Sequence, residues 1–138
     1  MLLHWDTETI LFDPGEGVQR QMLLAHEAPN HVTRVCIGHF HGDHCLGLPG
    51  FVQRRALQPA HSELRLHYPA WGRAYVDHLL AGSVIDMDLG LVHEPVGDGS
   101  GGPADTIDAP TFRLVARRLD HTVPAIGWRL EEAPTRHL

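Results

Sequence analysis

The hexapeptide HFHGDH, residues 39–44, stands between the β-branched segment HVTRVCIG and the run CLGLPGF. The first segment predicts a buried strand, and the second predicts a helix over about Cys45–Leu57 that Pro49 interrupts early. A buried strand, a polar loop and a helix in this order favour an α/β fold. The sequence therefore places three histidines and an aspartate at the end of a strand.

Imidazole nitrogens and carboxylate oxygens are the ligands that zinc and related divalent ions prefer. Residues two apart in an extended segment point to the same side, so His39 and His41 can face one ion. Asp43 and His44 lie at the start of the helix and can face a second ion. Two such ions can hold a hydroxide and clamp a phosphodiester or an ester for hydrolysis. The alternative is structural, with Asp43 as the N-cap of the helix.

The remaining segments continue an α/β alternation within one domain, residues 1–138, without internal repeats. Two short strands and a polar turn resemble a hairpin at the N-terminus, and the glycine- and aspartate-rich segment 97–110 predicts an exposed loop. The predicted strands are 2–5, 9–12, 31–38, 63–68, 111–121 and 125–132, and the other predicted helices are 16–26 and 71–82.

Composition limits the possible partners. The formal net charge is -6, and all eleven basic residues are arginines. Such a chain lacks the diffuse basic surface of a general nucleic-acid binder, so any RNA contact must be local or aided by bound cations. No apolar run of about 18 residues suggests a membrane span. The absence of a signal sequence and the presence of only two cysteines favour the cytoplasm.

Three segments resemble successive motifs of a single family. LFDPGEGVQRQMLLA, HFHGDHCLGLPGF and LDHTVPAIGWRLEE are similar, in this order, to motifs of the ribonuclease Z family of the metallo-β-lactamase superfamily. The resemblance implies an αββα sandwich, of which this chain covers roughly the first half. It also implies zinc-dependent cleavage of the 3′ trailer from precursor tRNA, by a homodimer.

The resemblance assigns roles to individual residues. His39, His41 and His121 would bind one zinc ion, and Asp43 and His44 would bind the other. Asp43 would also accept a proton during hydrolysis. From the residues alone, His121 is as compatible with an exposed histidine at a strand end as with a ligand.

Two acidic residues precede the first helix. Asp13 and Glu16 lie in the segment that resembles the second family motif. There they would orient the ligand histidines without binding the metal themselves. Asp13 stands beside Pro14, so it is alternatively a turn former.

The chain also departs from the family pattern. The family has a strand and a loop bearing arginine and asparagine before the segment that begins here at Met1. Beyond His121 it continues to a bridging aspartate and a last histidine ligand, for which His137 is a poor substitute. The resemblance implies two zinc ions in the full family, and we expect about one in this chain, apparently truncated at both ends.

The incomplete ligand set leaves two other functions open. One is an inactive remnant, or half of a split enzyme, with a partial metal site. The other is a metallo-hydrolase of the same superfamily that acts on a small phosphodiester or a thioester.

Other candidate residues favour structural roles. Cys36 and Cys45 are expected to be buried thiols. Arg54 and Arg55 can meet phosphate, but such pairs usually lie on solvated helix faces. The histidines predicted to be surface residues are His4, His26, His31, His61, His67, His78 and His93.

Overall fold

The computed structural model describes residues 1–58, 63–85 and 88–133. In this part of the chain, four α-helices and three short 3₁₀ helices connect strands of two sheets. The strands are β1 (Leu2–Trp5), β2 (Glu8–Phe12), β3 (Arg34–Cys36), β4 (Leu64–His67), β5 (Leu91–His93), β6 (Thr106–Asp108), β7 (Phe112–Leu119) and β8 (Ala125–Glu132). The helices are α1 (Val18–Leu24), α2 (Gly42–Cys45), α3 (Leu48–Ala56) and α4 (Arg73–Leu80), and the 3₁₀ helices are Pro29–His31, Ala70–Gly72 and Pro103–Asp105.

The first sheet has the strand order β1-β2-β3-β4-β5. Strand β1 pairs antiparallel with β2, as the hairpin prediction requires, and β2 to β5 run parallel. Helices lie in the connections between the parallel strands, as crossover connections demand. The second sheet, β6-β7-β8, is antiparallel. The α/β prediction is confirmed.

Side chains alternate between the two faces of the first sheet, and both faces are covered. Val35 and Ile37 pack on one face in a core that includes Met22 and Phe51 from the helices. Cys36 packs on the other face, in a cluster with Phe112 of the second sheet. The described layers therefore run helices, first sheet, second sheet, and the central strands are buried on both sides.

The helix after the histidine cluster differs from its prediction. The chain forms the single turn α2 and then, after Leu46 and Gly47, the separate helix α3. Pro49 lies in the first turn of α3, where its missing N–H costs nothing, so proline starts this helix rather than interrupting it.

The predicted exposed loop 97–110 contains more structure than its composition indicates. Strand β6 lies within it, and the side chain of Asp105 is buried. The Asp105 carboxylate accepts hydrogen bonds from the backbone N–H groups of Gly99 at 3.0 Å and Gly101 at 2.7 Å. Strand β5 was not predicted either, and both strands are only three residues long.

Two surface predictions are wrong because packing between the layers buries Arg55 on helix α3 and His67 on strand β4. Arg55 is fully buried and donates to the backbone oxygens of Val32 and Glu63. His67 is also fully buried. His93 is half-buried and lies 3.0 Å from the hydroxyl of Tyr68.

The other surface and core predictions agree with the structure where it describes the residues. Cys36 and Cys45 are buried free thiols. Arg54 and the histidines His4, His26, His31 and His78 are exposed. His61 and His137 lie outside the described residues. No helix in the described part of the chain is both long and apolar enough to cross a bilayer.

Candidate metal centre

Three loops meet at one edge of the molecule. Strands β2 and β3 are parallel, so their carboxyl ends lie at the same edge, where Asp13 and the histidine cluster follow them. The loop between β7 and β8 brings His121 to this edge. The cluster loop is tied to the second sheet by a hydrogen bond of 3.0 Å from Ile126 N–H to the oxygen of Gly38.

Glycine is needed at two of these loop positions. A Cβ atom at Gly38 would lie 2.7 Å from the carbonyl oxygen of Ile126, and one at Gly15 would lie 1.9 Å from that of Asp43. Both distances are below van der Waals contact. The glycines therefore allow the loops after β2 and β3 to approach α2 and β8 closely.

His39, His41 and His121 form a triad. One ring nitrogen from each lies within 4.8 Å of the other two. His39 Nε2 and His41 Nδ1 are 3.1 Å apart. A tetrahedral zinc ion with bonds of about 2.0–2.1 Å separates two ligand nitrogens by about 3.3 Å. The three imidazole donors fit a three-histidine zinc site.

The electrostatic environment keeps the buried member of the triad neutral. Burial lowers the pKa of His39, and the nearby imidazoles of His44, His121 and His41 lower it further. Metal ligation requires a neutral imidazole with a free nitrogen lone pair. His39 is therefore in the ligand-competent form at neutral pH.

His44 lies beside the triad, with its ring centroid 4.0 Å from that of His39. Its Nε2 is 3.5 Å from an oxygen of Asp43, whose side chain is 77% exposed. The Asp43 and His44 side chains therefore lie next to each other at the start of α2. Asp43 is not the N-cap of α2, because His41 holds that position and Asp43 lies in the first turn.

Asp13 connects the two loops. One carboxylate oxygen accepts a hydrogen bond of 2.7 Å from Gly38 N–H, and the other lies 3.0 Å from His44 Nδ1. Its backbone has a φ of 48°, in the left-handed region. Asp13 is therefore both a turn residue and a contact of a predicted ligand. Glu16 is exposed and, within the described residues, makes no hydrogen bond or ion pair with the cluster.

Sequence reasoning missed the walls of the site. A cavity of about 480 Å³ is lined by His39, His44 and His121, and its lining also includes the apolar residues Leu3, Phe12, Trp128 and Leu130. A second cavity of about 500 Å³ lies along the β7–β8 loop, where Arg118 and His121 both line it. No local pattern marks the apolar residues of the first cavity, because their proximity depends on the packing of one sheet against the other.

The family follows from this fold and site together with a sequence match. The sequence model of the protein family described as the metallo-β-lactamase superfamily matches residues 1–125. The chain therefore belongs to the metallo-β-lactamase superfamily.

Curated relatives narrow the resemblance to ribonuclease Z. The chain is 43% identical over 134 residues to ribonuclease Z of Chlamydia caviae, covering 97% of this chain and 42% of that protein. It is 47% identical over 131 residues to ribonuclease Z of Nocardia farcinica, covering 95% of this chain and 42% of that protein. The resemblance predicted from the three motifs is confirmed, and the chain spans less than half the length of these relatives.

A solved structure of a tRNase Z is also similar to this chain. The short form of human tRNase Z matches with a TM-score of 0.75 and 26% identity, covering 95% of this chain and 56% of that one. A diphosphatase of the PhnP family matches with a TM-score of 0.73 at 15% identity, covering 94% of this chain and 47% of that one. The second match shows the shared fold alone.

Proposed function

We propose that this chain forms the metal-binding part of a zinc-dependent endoribonuclease that removes the 3′ trailer from precursor tRNA. The observation that carries the proposal is the convergence of His39, His41 and His121, with Asp43 and His44 immediately beside them. Ribonuclease Z relatives at 43–47% identity supply the substrate class.

The triad would hold one zinc ion, and Asp43 and His44 would hold a second ion less firmly because they supply fewer ligands. Bound zinc lowers the pKa of a coordinated water and polarises the phosphate. An exposed oxygen of Asp43 accepts the proton of the attacking water. Asp13 restrains His44 and the start of the cluster loop through its two carboxylate oxygens.

The net charge of -6 makes local cations important for an RNA substrate. Arg118 lies on the cavity shared with His121 and, within the described residues, its guanidinium makes no ion pair. It is placed to meet a phosphate near the cleaved bond. Precursor tRNA would be recognised mainly by shape and backbone.

The family resemblance also implies a domain type, a cell compartment, an oligomeric state and a zinc content. The chain is proposed to be part of a single metallo-β-lactamase-like domain that acts in the cytoplasm as a homodimer. About one zinc ion is expected for each copy of this chain. The contacts of Asp13 favour its supporting role, whereas Glu16 makes no contact with the cluster in the described residues and is expected to contribute nothing.

A cleavage panel tests this function. The chain is incubated with zinc and either precursor tRNA carrying a 3′ trailer or a generic phosphodiester. We expect cleavage on the 3′ side of the acceptor stem, with loss of cleavage after chelation and in His39→Ala. Cleavage of the generic ester alone would favour a small-substrate hydrolase, and zinc binding without any cleavage would favour a non-catalytic chain.

A further inference from the structure

The last strand of the second sheet has one long edge without a neighbouring strand among the described residues. The strand order of this sheet is β6-β7-β8, so β8 pairs with β7 on one side only. With eight residues, β8 is longer than the average strand of about 5–6 residues. A long strand edge presents a row of backbone donors and acceptors to which another strand can bind.

Two hydrogen bonds of β8 show which backbone groups lie on this edge. Ile126 N–H donates to the oxygen of Gly38 at 3.0 Å, away from β7, and Ala133 N–H donates to that of Thr111 on the β7 side at 2.9 Å. Backbone groups alternate between the two sides of a paired strand. The groups that point away from β7 therefore belong to Trp128, Leu130 and Glu132. Across residues 1–58, 63–85 and 88–133, these three residues make no backbone hydrogen bond on the open side.

The side chains of β8 carry a self-complementary pattern of charge. Leu130 packs toward the core between the sheets, so its neighbours Arg129 and Glu131 point to the opposite face. Their side chains are 64% and 38% exposed, and they form an ion pair with each other along the strand. A positive and a negative group therefore flank the centre of the open edge.

We propose that β8 pairs antiparallel with β8 of a second copy of this chain, which joins the two second sheets into one six-stranded sheet. Leu130 then lies opposite Leu130 of the other copy, and Trp128 lies opposite Glu132. These pairs exchange the backbone hydrogen bonds that the open edge leaves unmade. The proposal names a contact surface for the homodimer of the proposed function, and it rests on that function only for the number of copies.

Charge selects this register over the neighbouring ones. In it, Arg129 of each copy lies directly opposite Glu131 of the other, in pairs that are not bridged by backbone hydrogen bonds and whose side chains lie closer together. A shift of two residues in one direction places Arg129 opposite Arg129, and a shift in the other direction places Glu131 opposite Glu131. Opposite charges stabilise such cross-strand pairs and like charges destabilise them.

An apolar cavity beside the same edge favours a second copy over an unrelated strand. Leu3, Trp128 and Leu130 line the cavity of about 480 Å³, and Leu3 lies on β1, the edge strand of the first sheet. Pairing brings the two Leu130 side chains together at this cavity and removes apolar surface from water. A second copy supplies the leucine and both complementary charges in the required order.

Sedimentation equilibrium without RNA, over a range of chain concentrations, tests the pairing. The unchanged chain should form a dimer. Arg129→Glu and Glu131→Arg each place like charges opposite each other in both symmetry-related pairs, so each should weaken dimerisation by about tenfold or more. An equimolar mixture of the two variants restores opposite charges in both pairs and should form heterodimers about as tightly as the unchanged chain dimerises.

A second pair of variants tests the backbone hydrogen bonds. The N–H of Leu130 points away from β7, so Leu130→Pro spares the ladder with β7 and removes the central hydrogen bonds between copies. This variant should be monomeric, whereas Leu130→Ala keeps the N–H and should still dimerise. Arg20→Glu makes the same charge change as Arg129→Glu at an exposed position on α1 and should leave the dimer unchanged.

Three outcomes would overturn the proposal. These are a monomeric unchanged chain at every concentration, a mixture that associates no more tightly than either charge variant alone, and a dimer that both charge variants and Leu130→Pro leave intact. The last would mean that the copies meet at another surface. If circular dichroism shows Leu130→Pro to be unfolded, the charge variants decide. Because no RNA is present, failure to cleave precursor tRNA would refute the nuclease function and leave the dimerisation result standing.

Discussion

Two polar clusters occupy the same strands and are built in opposite ways. The candidate metal centre lies at the carboxyl ends of β2 and β3, and its imidazoles lie close to one another beside an open cavity. The second cluster, called the ionic network, crosses the first sheet from β2 to the end of β5 and consists of Glu8, Arg34, Arg65, His67 and Glu94. Its charged groups pair mainly with one another.

The ionic network has a defined pattern of contacts. Arg34 lies 3.0 Å from an oxygen of Glu8, and its Nη1 donates to His67 Nε2 at 3.3 Å. Because arginine only donates, His67 must be the tautomer with its proton on Nδ1, which lies 3.4 Å from Glu94 Oε2. Thr33 also donates its hydroxyl to Glu8.

The comparison separates two kinds of histidine with lowered pKa values. Burial lowers the pKa in both His39 and His67. The ring nitrogens of His67 face an arginine and a carboxylate, whereas the nitrogen of His39 faces other histidines. A lowered pKa therefore marks burial in both regions, and only the partners distinguish a ligand from a structural residue.

The largest expected effect is on the ionic network. Arg34→Ala should lower the free energy of unfolding by about 3–5 kcal/mol, because it leaves the partly buried carboxylate of Glu8 without its partner. Urea denaturation measures this change. Zinc affinity of the remaining folded protein should be unaltered, and a parallel loss of zinc affinity would mean that the two clusters are coupled.

The next effect is on the pH dependence of stability. Burial first, and the Arg34 charge second, lower the pKa of His67 from 6.5 to about 4. The unfolded chain binds this proton more readily, so the stability present above pH 6.5 is lost as the pH falls toward 4, by about 3 kcal/mol.

Denaturation curves at several pH values measure that slope. His39 and His93 also have lowered pKa values and contribute in the same direction. Protonation of Glu8 lowers the stability of the folded chain only below pH 4.5, because folding lowers the pKa of this carboxyl group from that value. His67→Gln should remove the His67 part of the slope, and an unchanged slope in this variant would contradict the assignment.

At the candidate metal centre, His121→Ala should weaken zinc binding by more than about a hundredfold. Removal of a residue that only hydrogen-bonds to a metal ligand already lowers metal affinity about ten- to hundredfold, and loss of a ligand itself should cost more. His121 is exposed, so the fold should persist. Calorimetric titration measures the affinity, with the exposed His26→Ala as the matched control. Unchanged zinc stoichiometry and affinity in His121→Ala would refute the triad.

The smallest effect concerns the support of His44. Asp13→Asn keeps an oxygen for Gly38 N–H and removes the negative charge beside His44. Binding of a second divalent ion should weaken about tenfold. Glu16→Gln is the matched control and should have no effect, since Glu16 makes no contact with the cluster in the described residues. Equal effects of the two substitutions would show that Asp13 acts only through net charge.

Much of the metal centre could be predicted from short segments. The β-branched strand, the glycine after His41 and the apolar helix place His39, His41, Asp43 and His44 together through local geometry alone. His121 lies 77 residues beyond His44 in the numbering, and only the motif resemblance marked it. The motif resemblance predicts that Asp13 supports a ligand histidine. That this histidine is His44 depends on how closely the loops after β2 and β3 approach each other.

By itself the sequence determined the α/β class, the hairpin and the position of the histidine cluster at a strand end, because these depend on neighbours within a few residues. Tertiary structure alone decided that His67 and Arg55 are buried, that β5 pairs with β4 and β6 with β7, and that Phe40 contacts Trp71 and Tyr75. The physical reason is that each of these outcomes depends on residues far away in the chain. The second sheet covers His67, whereas Arg55 on α3 contacts the backbone of Val32 and Glu63 at the first sheet. Neighbours in the sequence therefore do not determine whether such a polar side chain is buried.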